Sequence, residues 1–422
     1  MIAVFLASLA AVQDSVIDAG VARELPRTIQ IRRTIHANPE LGEREVETAK
    51  LVAARLRELG LAVREGIAAT GVVAVLEGGK PGGCVAWRAD MDALAFPVPE
   101  RTGLPFASTK TDEWEGKTAH VVHACGHDVH TAVGLGVAAL LADPAVRKDL
   151  HGKVLFIFQP AEESLPTPGL HGAERMIAEG AVEDPRPDSY FGLHCGPHLE
   201  AGTIGVRAGG ALAAADQVRI VITGKMTHGS MPELGVDPIV VASHVVLALE
   251  NIPAREVDAR ESVVLTIGKI EAGSRFNIIP ESAELLGTLR THDEKLQERI
   301  HQRIREIAEG TAKTFGAKAE VEIRRFTPVT WNDVALTARM RPSLEAAVGK
   351  ANVIDDKPIM GAEDFAFFAQ QRPSLYFFLG VAPKGRPAPG MLHTPTFDPD
   401  EGAIEVGLRA AARLILDAAR PR

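Results

Sequence analysis

The sequence has few cysteines, few aromatic residues and no long apolar run. Its three cysteines, Cys84, Cys125 and Cys195, argue against a network of disulfide bonds, and the odd number indicates that at least one thiol stays free or binds a metal. No stretch of about 18 apolar residues is present, which excludes a membrane-spanning helix. A formal net charge of -9, with lysine and arginine dispersed among acids, argues against a nucleic-acid partner. A small molecule remains as the class of partner.

The length of 422 residues exceeds what one hydrophobic core usually supports, so we expect two domains. The chain opens with MIAVFLASLAAVQDSV, an apolar run about as long as the apolar part of a signal peptide, but without the usual basic residues before it. Residues 1–23 are therefore interpreted as an export signal or an N-terminal extension, and a periplasmic or secreted location is slightly favoured over a cytoplasmic one. The alternative is a short amphipathic helix that leads into the domain.

Side chains that bind metals are concentrated in HACGHDVH, residues 123–130. Cys125 and His127 are separated by one residue, so an extended or tightly turned backbone points both the same way and lets a thiolate and an imidazole share one divalent ion. For such a pair alone, a buried cysteine beside histidines that cap a turn would be the better interpretation. The same classes of ligand recur, however, near other apolar runs: Glu162, Glu163, His194 and His393.

Strands and helices alternate through the first half of the chain. The segments 71–78, 84–90 and 153–159 are short β-rich runs, and an apolar helix follows HACGHD. This alternation predicts an α/β fold with a mostly parallel sheet covered by helices. Two helices, separated from each other by a break at Pro39, are predicted before the first strand. RADMD, QPAEE and GLH each follow a predicted strand, and open sheets of this type bind ligands outside the carboxyl ends of their strands.

The pattern changes near Ala213. From there, strands and helices are predicted in the order βαββαβ, which is a ferredoxin-like unit of roughly 110 residues. Sheet-like and ligand-bearing sequence resumes afterwards, so residues 213–327 are interpreted as an insertion into a domain formed by residues 24–212 and 328–422. The chain then crosses twice between the domains, and paired crossings form a hinge.

Seven sequence elements occur together, in the order RADMDAL, HACGHD, FQPAEE, GLH, GKMTHGSMP, N-x-IP followed by GT-x-R, and GAEDF. This set resembles the M20 metallopeptidase family, specifically its amidohydrolase branch of hippurate hydrolases, N-acyl-amino-acid amidohydrolases and auxin-conjugate hydrolases. The resemblance covers nearly the whole chain from about Pro26. It implies two divalent ions, Zn²⁺, Mn²⁺ or Co²⁺, on an α/β catalytic domain. It also implies a lid domain that commonly mediates dimerisation, so we expect a homodimer or a higher homo-oligomer.

The activity that the resemblance implies is hydrolysis of N-acyl amino acids to a carboxylic acid and a free amino acid. The alternative is a metallo-carboxypeptidase or dipeptidase that acts on short peptides. Carried over residue by residue, the resemblance makes Glu162 the general base and implies five metal ligands, which are Cys125, His127, Glu163, His194 and His393. The residues support this division, because adjacent acids on an extended segment point to opposite sides, so that one carboxylate binds metal and the other accepts a proton.

The resemblance also implies roles for residues of the inserted domain. His228 is expected to reach the active site and stabilise the tetrahedral oxyanion. Asn277 and Arg290 are expected to hold the substrate carboxylate, because the planar guanidinium pairs with a carboxylate through two hydrogen bonds. Two further acidic pairs complete the expected site. Asp90 and Asp92 are expected to orient the metal ligands, and the roles of Glu363 and Asp364 are left open.

The sequence departs from the usual family pattern beside His194, where Cys195 and His198 add two further ligand-type side chains that could change the choice of metal. A cysteine hydrolase with Cys125 as nucleophile and His127 as base is a second hypothesis, although a spacing of one residue is poor geometry for such a dyad. A noncatalytic binding module is a third, and Glu162 argues against it, because a binder needs no unliganded carboxylate at the metals.

Overall fold

The computed structural model describes residues 2–163, 169–385, 388 and 390–421, with side chains from residue 14 onward. The helices, in chain order, are α1 (Ile2–Ala37), α2 (Val46–Glu58), α3 (His127–Ala142), α4 (Pro144–Arg147), α5 (Gly172–Ala178), α6 (Pro238–Leu249), α7 (Glu294–Thr314), α8 (Val334–Val348), α9 (Phe365–Gln371) and α10 (Gly402–Ala418). The strands are β1 (Ala62–Ile67), β2 (Gly71–Glu77), β3 (Lys80–Asp90), β4 (Leu94–Phe96), β5 (Thr111–Trp114), β6 (Lys117–Val122), β7 (His151–Gln159), β8 (Ser189–Glu200), β9 (Ile204–Val206), β10 (Gly209–Leu212), β11 (Ala214–Thr223), β12 (Thr227–His228), β13 (Val263–Ala272), β14 (Ile278–Ile279), β15 (Ser282–Thr291), β16 (Lys318–Thr327), β17 (Thr330–Asn332), β18 (Val353–Asp355) and β19 (Ser374–Ala382).

The described residues fall into two compact units. The main unit comprises Met1–Gly209, Trp331–Lys357 and Phe367–Arg422, and the inserted unit comprises Gly210–Thr330 and Pro358–Ala366. The sequence interpretation assigned residues 358–366 to the second part of the catalytic domain, whereas they group with the inserted unit. The reason is backbone hydrogen bonding, because the N–H of Ala213 contacts the carbonyl oxygens of Ile359 and Gly361 at 3.2 and 2.9 Å.

The main unit is built on a sheet whose strands lie in the order β1-β2-β7-β3-β8-β19-β9-β18. Its centre is parallel, since β3 pairs with both β7 and β8, and β8 pairs with β19. Strand β7 is buried from Val154 to Gln159 and β19 is buried throughout, as expected for strands that are covered on both faces. These pairings confirm the predicted α/β fold with a mostly parallel sheet.

Helix α3 begins inside HACGHD, at His127, and is the most deeply buried helix of the main unit's described part. After its polar first turn it is apolar on all sides, and Val133 and Leu140 are fully buried among side chains of α10 such as Leu408 and Ile415. A helix that is apolar all round has to be covered on every face, and α1, α2, α10 and the central sheet all pack against α3. The first residue of α3, His127, is thereby fixed in place by the core.

The N-terminal segment lies within α1, which runs from Ile2 to Ala37. Ile17 and Val21, in the segment interpreted as an export signal or extension, are 0% and 1% exposed and belong to the core of the main unit. The predicted break at Pro39 is present, because α1 ends at Ala37 and α2 begins at Val46. Among the described residues, none of the helices contains an apolar stretch of the length that spans a membrane.

The inserted unit contains an antiparallel sheet in the order β13-β15-β11-β16. With α6 after its first strand and α7 after its third, this is the ferredoxin-like arrangement that the sequence predicts. Strand β11 alternates between buried and half-buried residues, so that Val218, Ile220 and Ile222 enter the core of the unit. Asp293 caps α7 by accepting the N–H of Leu296 at 2.7 Å.

Candidate metal centre

Cys125 and His127 are brought to the same side of the chain by a tight turn at Gly126. This glycine has φ +96°, in the left-handed region, and a Cβ there would lie 2.7 Å from the Sγ of Cys195. Both observations require glycine, because a side chain would be strained in this backbone conformation and would collide with Cys195. The turn places the thiol of Cys125 and the ring of His127, both buried, close to each other.

The ring of His127 is oriented by Asp92. Its Nδ1 lies 2.9 Å from the carbonyl oxygen of Asp92 and 3.1 Å from Oδ1 of the same residue, so Nδ1 carries the proton and donates it to these oxygens. Its Nε2 is buried and has no hydrogen-bond partner among the residues that the structure describes. An imidazole held in this tautomer presents a lone pair, which is what a metal ligand needs.

His194 has the same orientation. Its Nδ1 lies 2.9 Å from the carbonyl oxygen of Cys195, and its Nε2 lies 3.4 Å from the Sγ of Cys125. The sequence placed His194 after a strand, but it lies within β8, which extends to Glu200 because it pairs with β19 beyond this point. It still lies at the open edge of the sheet, because the pairing of β8 with β3 stops at Gly192.

Glu162 and Glu163 follow β7 in a turn rather than on an extended segment. The turn begins at Ala161, which has φ +56°. The separation of their roles was expected from an extended backbone that points them to opposite sides, and this reason is wrong. A carboxylate oxygen of each glutamate and a ring nitrogen of His127 lie within 4.8 Å of one another. The N–H of Glu163 donates to Oδ2 of Asp92 at 2.8 Å, so Asp92 contacts two of the expected ligands.

His393 approaches the same place from the other end of the chain. Its backbone N–H donates to the carbonyl oxygen of Ala124 at 2.8 Å, which ties its segment to the HACGHD turn. Its Nε2 lies 2.8 Å from Oε1 of Glu163, and its side chain is 52% exposed. Cys125, Glu163 and His393 form one group of potential ligands, and Cys125, His127 and His194 form another. The structure thus brings together all five side chains that were expected to bind metal, with Glu162 beside them.

The acidic side chains dominate the electrostatics of this cluster. Burial alone would lower the pKa of His127, but the carboxylates of Asp90 and Asp92 raise that pKa to about 10. Burial, followed by the charges of Glu163 and Glu162, raises the pKa of the Cys125 thiol well above its usual value. A thiol in this setting is not an activated nucleophile, which argues against the cysteine hydrolase hypothesis. A divalent cation would reverse both effects, because positive charge favours a thiolate and a neutral imidazole.

Asp90 contacts His130, a histidine outside the expected set of metal ligands. Its Oδ1 lies 2.6 Å from Nδ1 of His130, and its Oδ2 accepts the guanidinium of Arg88 at 2.6 Å. Nε2 of His130 accepts the N–H of Cys195 at 2.9 Å. Both ring nitrogens of His130 are therefore occupied by protein partners, although His130 lies close enough to Asp90 and His127 to be counted as a potential ligand.

Comparisons with known proteins identify the family of the chain. A family model described as Peptidase family M20/M25/M40 matches residues 86–417. The chain belongs to this peptidase family. The amidohydrolase resemblance is confirmed by curated relatives of this M20 chain. N-acetyl-L-cysteine deacetylase of Bacillus subtilis is 38% identical, over 89% of this chain and 84% of that protein, and IAA-amino acid hydrolase ILR1-like 4 of Arabidopsis thaliana is 36% identical, over 90% and 82%.

Other relatives of the M20 chain are peptidases. Thermostable carboxypeptidase 2 of Saccharolobus solfataricus is 39% identical, over 92% of this chain and 94% of that protein. Among solved structures, the YXEP protein of Bacillus subtilis, described as a dinuclear metal binding peptidase from the M20 family, is 32% identical. It covers 94% of this chain and 99% of its own, with a TM-score of 0.79.

Two of the side chains that the sequence analysis singled out lie outside the cluster. Cys195 is fully buried in the apolar core, where its Sγ faces Gly126, and His198 lies 2.9 Å from Asp356 through its Nε2. Neither belongs to a group of potential metal ligands among the described residues. The expectation that they could change the choice of metal therefore has no support in the structure.

Several buried residues that support the site were missed, because they lie on α1 or next to α2, far from the motifs in sequence. Arg32 Nε donates to Oδ2 of Asp128 at 2.8 Å, and Nδ1 of His36 lies 2.9 Å from the same oxygen, which fixes α1 to the first turn of α3. Glu45 Oε1 accepts the N–H of Ala161 at 2.8 Å. Burial and the charge of Asp92 raise the pKa of Glu45 to about 8.

In the inserted unit, His228 and Asn277 are neighbours. His228 pairs with Ile278 between β12 and β14, and the N–H of Gly229 donates to the carbonyl oxygen of Asn277 at 2.9 Å. Nδ1 of His228 accepts the N–H of Ser230 at 3.1 Å, so its Nε2 is the ring nitrogen left for another partner. The side chain of His228 is exposed.

Arg290 lies on β15 of the inserted unit. Its Nε donates to Oγ1 of Thr288 at 3.2 Å, and burial lowers its pKa while Asp216 raises it. No carboxylate lies within ion-pair distance of its guanidinium among the residues described, although the residue is half-buried. Glu363 and Asp364 are also in this unit, where Glu363 Oε1 accepts the N–H of Phe365 at the start of α9. Their chemical roles stay open.

Proposed function

We propose that this chain is a metal-dependent amidohydrolase that cleaves N-acyl amino acids to a carboxylic acid and a free amino acid. The observation that carries the proposal is the convergence of Cys125, His127, Glu163, His194 and His393 in one cluster with Glu162 at its side. The deacetylase and the IAA-amino acid hydrolase among the relatives support the amide of an N-acylated amino acid as the bond that is cleaved.

We infer that the cluster binds two divalent ions, of which Zn²⁺, Mn²⁺ and Co²⁺ are the candidates. Cys125, His127 and Glu163 each belong to more than one group of potential ligands, which suits a pair of ions that share donors. The buried Nε2 of His127 lacks a hydrogen-bond partner among the described residues, and a cation would provide one. Imidazole, thiolate and carboxylate are the donors that such ions take in proteins. The dinuclear relative supports the same number of ions.

When bound, a pair of divalent ions polarises the scissile carbonyl and lowers the pKa of the attacking water. In the proposed mechanism, Glu162 accepts a proton from that water as its oxygen attacks the acyl carbon. Glu162 then gives the proton to the amine nitrogen as the C–N bond breaks, which yields the carboxylic acid and the amino acid. Glu162 is suited to this role because its side chain is only 10% exposed and its Oε2 lies 4.0 Å from Nε2 of His127.

A cleft of about 600 Å³ opens beside Asp92 and Glu163, and we propose that it receives the acyl group. Leu41, Leu94 and Trp114 supply apolar walls. The volume is in the range of small-molecule sites, and apolar walls suit the hydrocarbon part of an acyl chain.

The inserted unit is proposed to recognise the amino-acid part. Arg290 is half-buried, and no carboxylate of a described residue lies within ion-pair distance of its guanidinium, so it is suited to bind the α-carboxylate of a substrate together with Asn277. His228 is proposed to donate from Nε2 to the developing oxyanion, because Nδ1 already accepts from Ser230. These three residues are therefore proposed as the source of substrate selectivity and of part of the rate acceleration.

We propose that the chain forms a homodimer through the inserted unit. Helix α6 carries apolar side chains on its exposed side, with Ile239, Val240 and Leu247 exposed to 42%, 47% and 71%. Strand β13 is an edge of the sheet and exposes Ile270 to 53%. An unpaired edge next to an apolar helix surface is a common place for a second copy to bind. The proposal is tested by measuring the mass in solution of the wild-type protein and of the Leu247→Glu variant.

The carboxypeptidase relatives favour peptides as a second class of substrate. A substrate panel separates the two. The purified chain is stripped with a chelator, reloaded with Zn²⁺, Mn²⁺ or Co²⁺, and assayed on N-acetyl, N-benzoyl and N-indoleacetyl amino acids and on matched dipeptides. We expect kcat/KM for an N-acyl amino acid to exceed that for the matched dipeptide by tenfold or more, which is about 1.4 kcal/mol. A preference for dipeptides would favour the peptidase, and no turnover with any metal would refute both.

A further inference from the structure

The turn that carries Glu162 and Glu163 starts from an unfavourable backbone conformation. Ala161 has φ +56° and is 1% exposed. A left-handed conformation is costly for a residue with a Cβ and persists only where the surroundings hold it. Because the conformation of Ala161 sets the direction of the next peptide, whatever holds it also decides where the carboxylate of Glu162 points.

Glu45 is the side chain that holds the peptide between Pro160 and Ala161, from which the turn starts. Its Oε1 accepts the N–H of Ala161 at 2.8 Å, and its Oε2 accepts the hydroxyl of Thr70 at 2.5 Å. Glu45 is fully buried, and its backbone is fixed because its carbonyl oxygen accepts the N–H of Ala49 in the first turn of α2. Both oxygens and the backbone of Glu45 are therefore constrained by hydrogen bonds within the main unit.

The other end of the turn is held in the same way. Oδ2 of Asp92 accepts the N–H of Glu163 at 2.8 Å. Two buried carboxylates thus fix the backbone on either side of Glu162, one through Ala161 and one through Glu163. Of these two carboxylates, that of Asp92 also contacts the side chain of an expected metal ligand, since its Oδ1 lies 3.1 Å from Nδ1 of His127.

We propose that Glu45 is a positioning residue of the active site, which holds Ala161 in its left-handed conformation and thereby aims Glu162 at the water and Glu163 at the metal ions. Glu45 acts through the backbone and does not contact the substrate. The inference rests on the proposed function only for the role of Glu162, while the effect on Glu163 concerns metal binding alone.

The test compares Glu45 with Glu40, which is a matched control. Glu40 also uses both oxygens to accept backbone N–H groups, those of Glu47 and Thr48 at 3.0 and 2.8 Å, but these belong to the start of α2 and not to the catalytic turn. Glu45→Ala, Glu45→Gln and Glu40→Ala are each purified and reloaded with Zn²⁺. Thermal stability, kcat and KM are measured, together with the affinity of the metal-free protein for Zn²⁺.

For Glu45→Ala we expect kcat to fall by about 10- to 100-fold with KM within about threefold, because a displaced general base slows the reaction without weakening substrate binding. Zn²⁺ affinity should weaken by about tenfold, since Glu163 is no longer held in place. Glu45→Gln should recover most of both losses, because its amide oxygen can still accept the N–H of Ala161. Glu40→Ala should lower stability but leave kcat and Zn²⁺ affinity within about threefold of wild type.

A fall in stability for Glu45→Ala that matches Glu40→Ala, with kcat and Zn²⁺ affinity unchanged, would overturn the inference and leave Glu45 a structural residue. If Glu45→Ala does not fold, Thr70→Val is used instead, because it removes only the bond that orients Glu45. It should then lower kcat by about three- to tenfold, on the scale expected for a small displacement of the general base, and an unchanged kcat would overturn the inference. If wild type hydrolyses no N-acyl amino acid, the proposed function fails, while the Zn²⁺ affinities of the same variants still decide the role of Glu45.

Discussion

Replacing Asp92 by asparagine should weaken metal binding although the side chain keeps its size. Oδ1 of Asp92 accepts from Nδ1 of His127, and Oδ2 accepts from the N–H of Glu163. Asparagine has one acceptor oxygen, so in either orientation its NH₂ group faces one of these two donors. Turned towards His127, the NH₂ group removes one of the two acceptors of the Nδ1 proton and leaves only the carbonyl oxygen of Asp92. The tautomer whose Nε2 lone pair a metal ion needs is then held less firmly.

The expected magnitude follows from these contacts. Loss of a hydrogen bond to a charged group costs roughly 1.5 to 3 kcal/mol, which corresponds to about 10- to 150-fold in an equilibrium constant. Replacing a partner that orients a metal ligand costs about 10- to 100-fold in affinity. We therefore expect Asp92→Asn to bind Zn²⁺ about 10- to 100-fold more weakly than wild type, with a corresponding loss of activity at limiting metal.

The assay is a titration of the metal-free protein with Zn²⁺ in competition with a chelator. Asp188→Asn is the control, because Asp188 also accepts a backbone N–H, that of Cys84 at 2.9 Å, but belongs to no group of potential ligands among the described residues. Asp188→Asn should bind Zn²⁺ as wild type does. Affinity of Asp92→Asn within threefold of wild type would refute the reasoning that Asp92 orients His127 and Glu163.

Three further outcomes are expected. Cys125→Ser should lower the metal content per chain, because a thiolate is replaced by a weak neutral donor, and full occupancy in metal analysis would contradict this. Arg290→Ala should lower kcat/KM for N-acyl amino acids by about 10- to 150-fold, or roughly 1.5 to 3 kcal/mol, with Arg290→Lys recovering only part; equal hydrolysis of an N-acyl amino acid and its carboxamide by wild type would contradict it. Burial lowers the pKa of His36, but Asp128 and Glu100 raise it from 6.5 to about 9. Protonated His36 therefore contributes its full share to the stability of the folded protein below about pH 6.5, and this contribution is lost as the pH rises through 9. Denaturation at pH 6 and pH 9.5 should show a loss of roughly 2 to 4 kcal/mol in wild type that His36→Gln lacks, and equal losses in both would contradict it.

Much of the fold could be predicted from the sequence, because many of its strands can be recognised from their amino-acid composition. The apolar run of β7 and the buried β3 are typical of a sheet covered on both faces, and the βαββαβ order defines the inserted unit by local pattern alone. The grouping of residues 358–366 with the inserted unit could not be predicted in this way. It depends on hydrogen bonds between Ala213 and residues almost 150 positions away, which leave no periodic signal.

The expected metal ligands could be named because their residue types are rare in apolar surroundings and their motifs resemble those of a known family. The geometry that joins them could not be predicted. Glu162 and Glu163 were expected on an extended segment, but the left-handed conformation of Ala161 turns both towards His127. That conformation is held by Glu45, a residue with no motif of its own, more than 100 positions earlier. A contact of this kind depends on the tertiary structure and not on local preference.

Cys195 and His198, the extra ligand-type residues beside His194, look like metal ligands in the sequence but do not lie in the cluster. In the sequence, Cys195 cannot be distinguished from a metal ligand, because it stands beside one in a run of histidines and small residues. Neighbouring residues on a strand point to opposite faces, so His194 and Cys195 cannot both face the cluster. In the structure, His194 contacts Cys125, whereas Cys195 is buried against Gly126. The thiol of Cys195 is therefore the reason why residue 126 has to be glycine, and it is not a metal ligand of this cluster.

The central claim is that the clustered side chains bind metal while Glu162 moves the proton. The measurement that tests it most directly is the metal content and the kcat of Glu162→Gln, determined on the same preparation and compared with wild type. We expect two ions per chain in both proteins and a fall in kcat of about 10²- to 10⁴-fold in the variant, because an amide cannot accept the proton of the water. A variant that keeps near-wild-type kcat, or that loses its metal together with its activity, would contradict the claim.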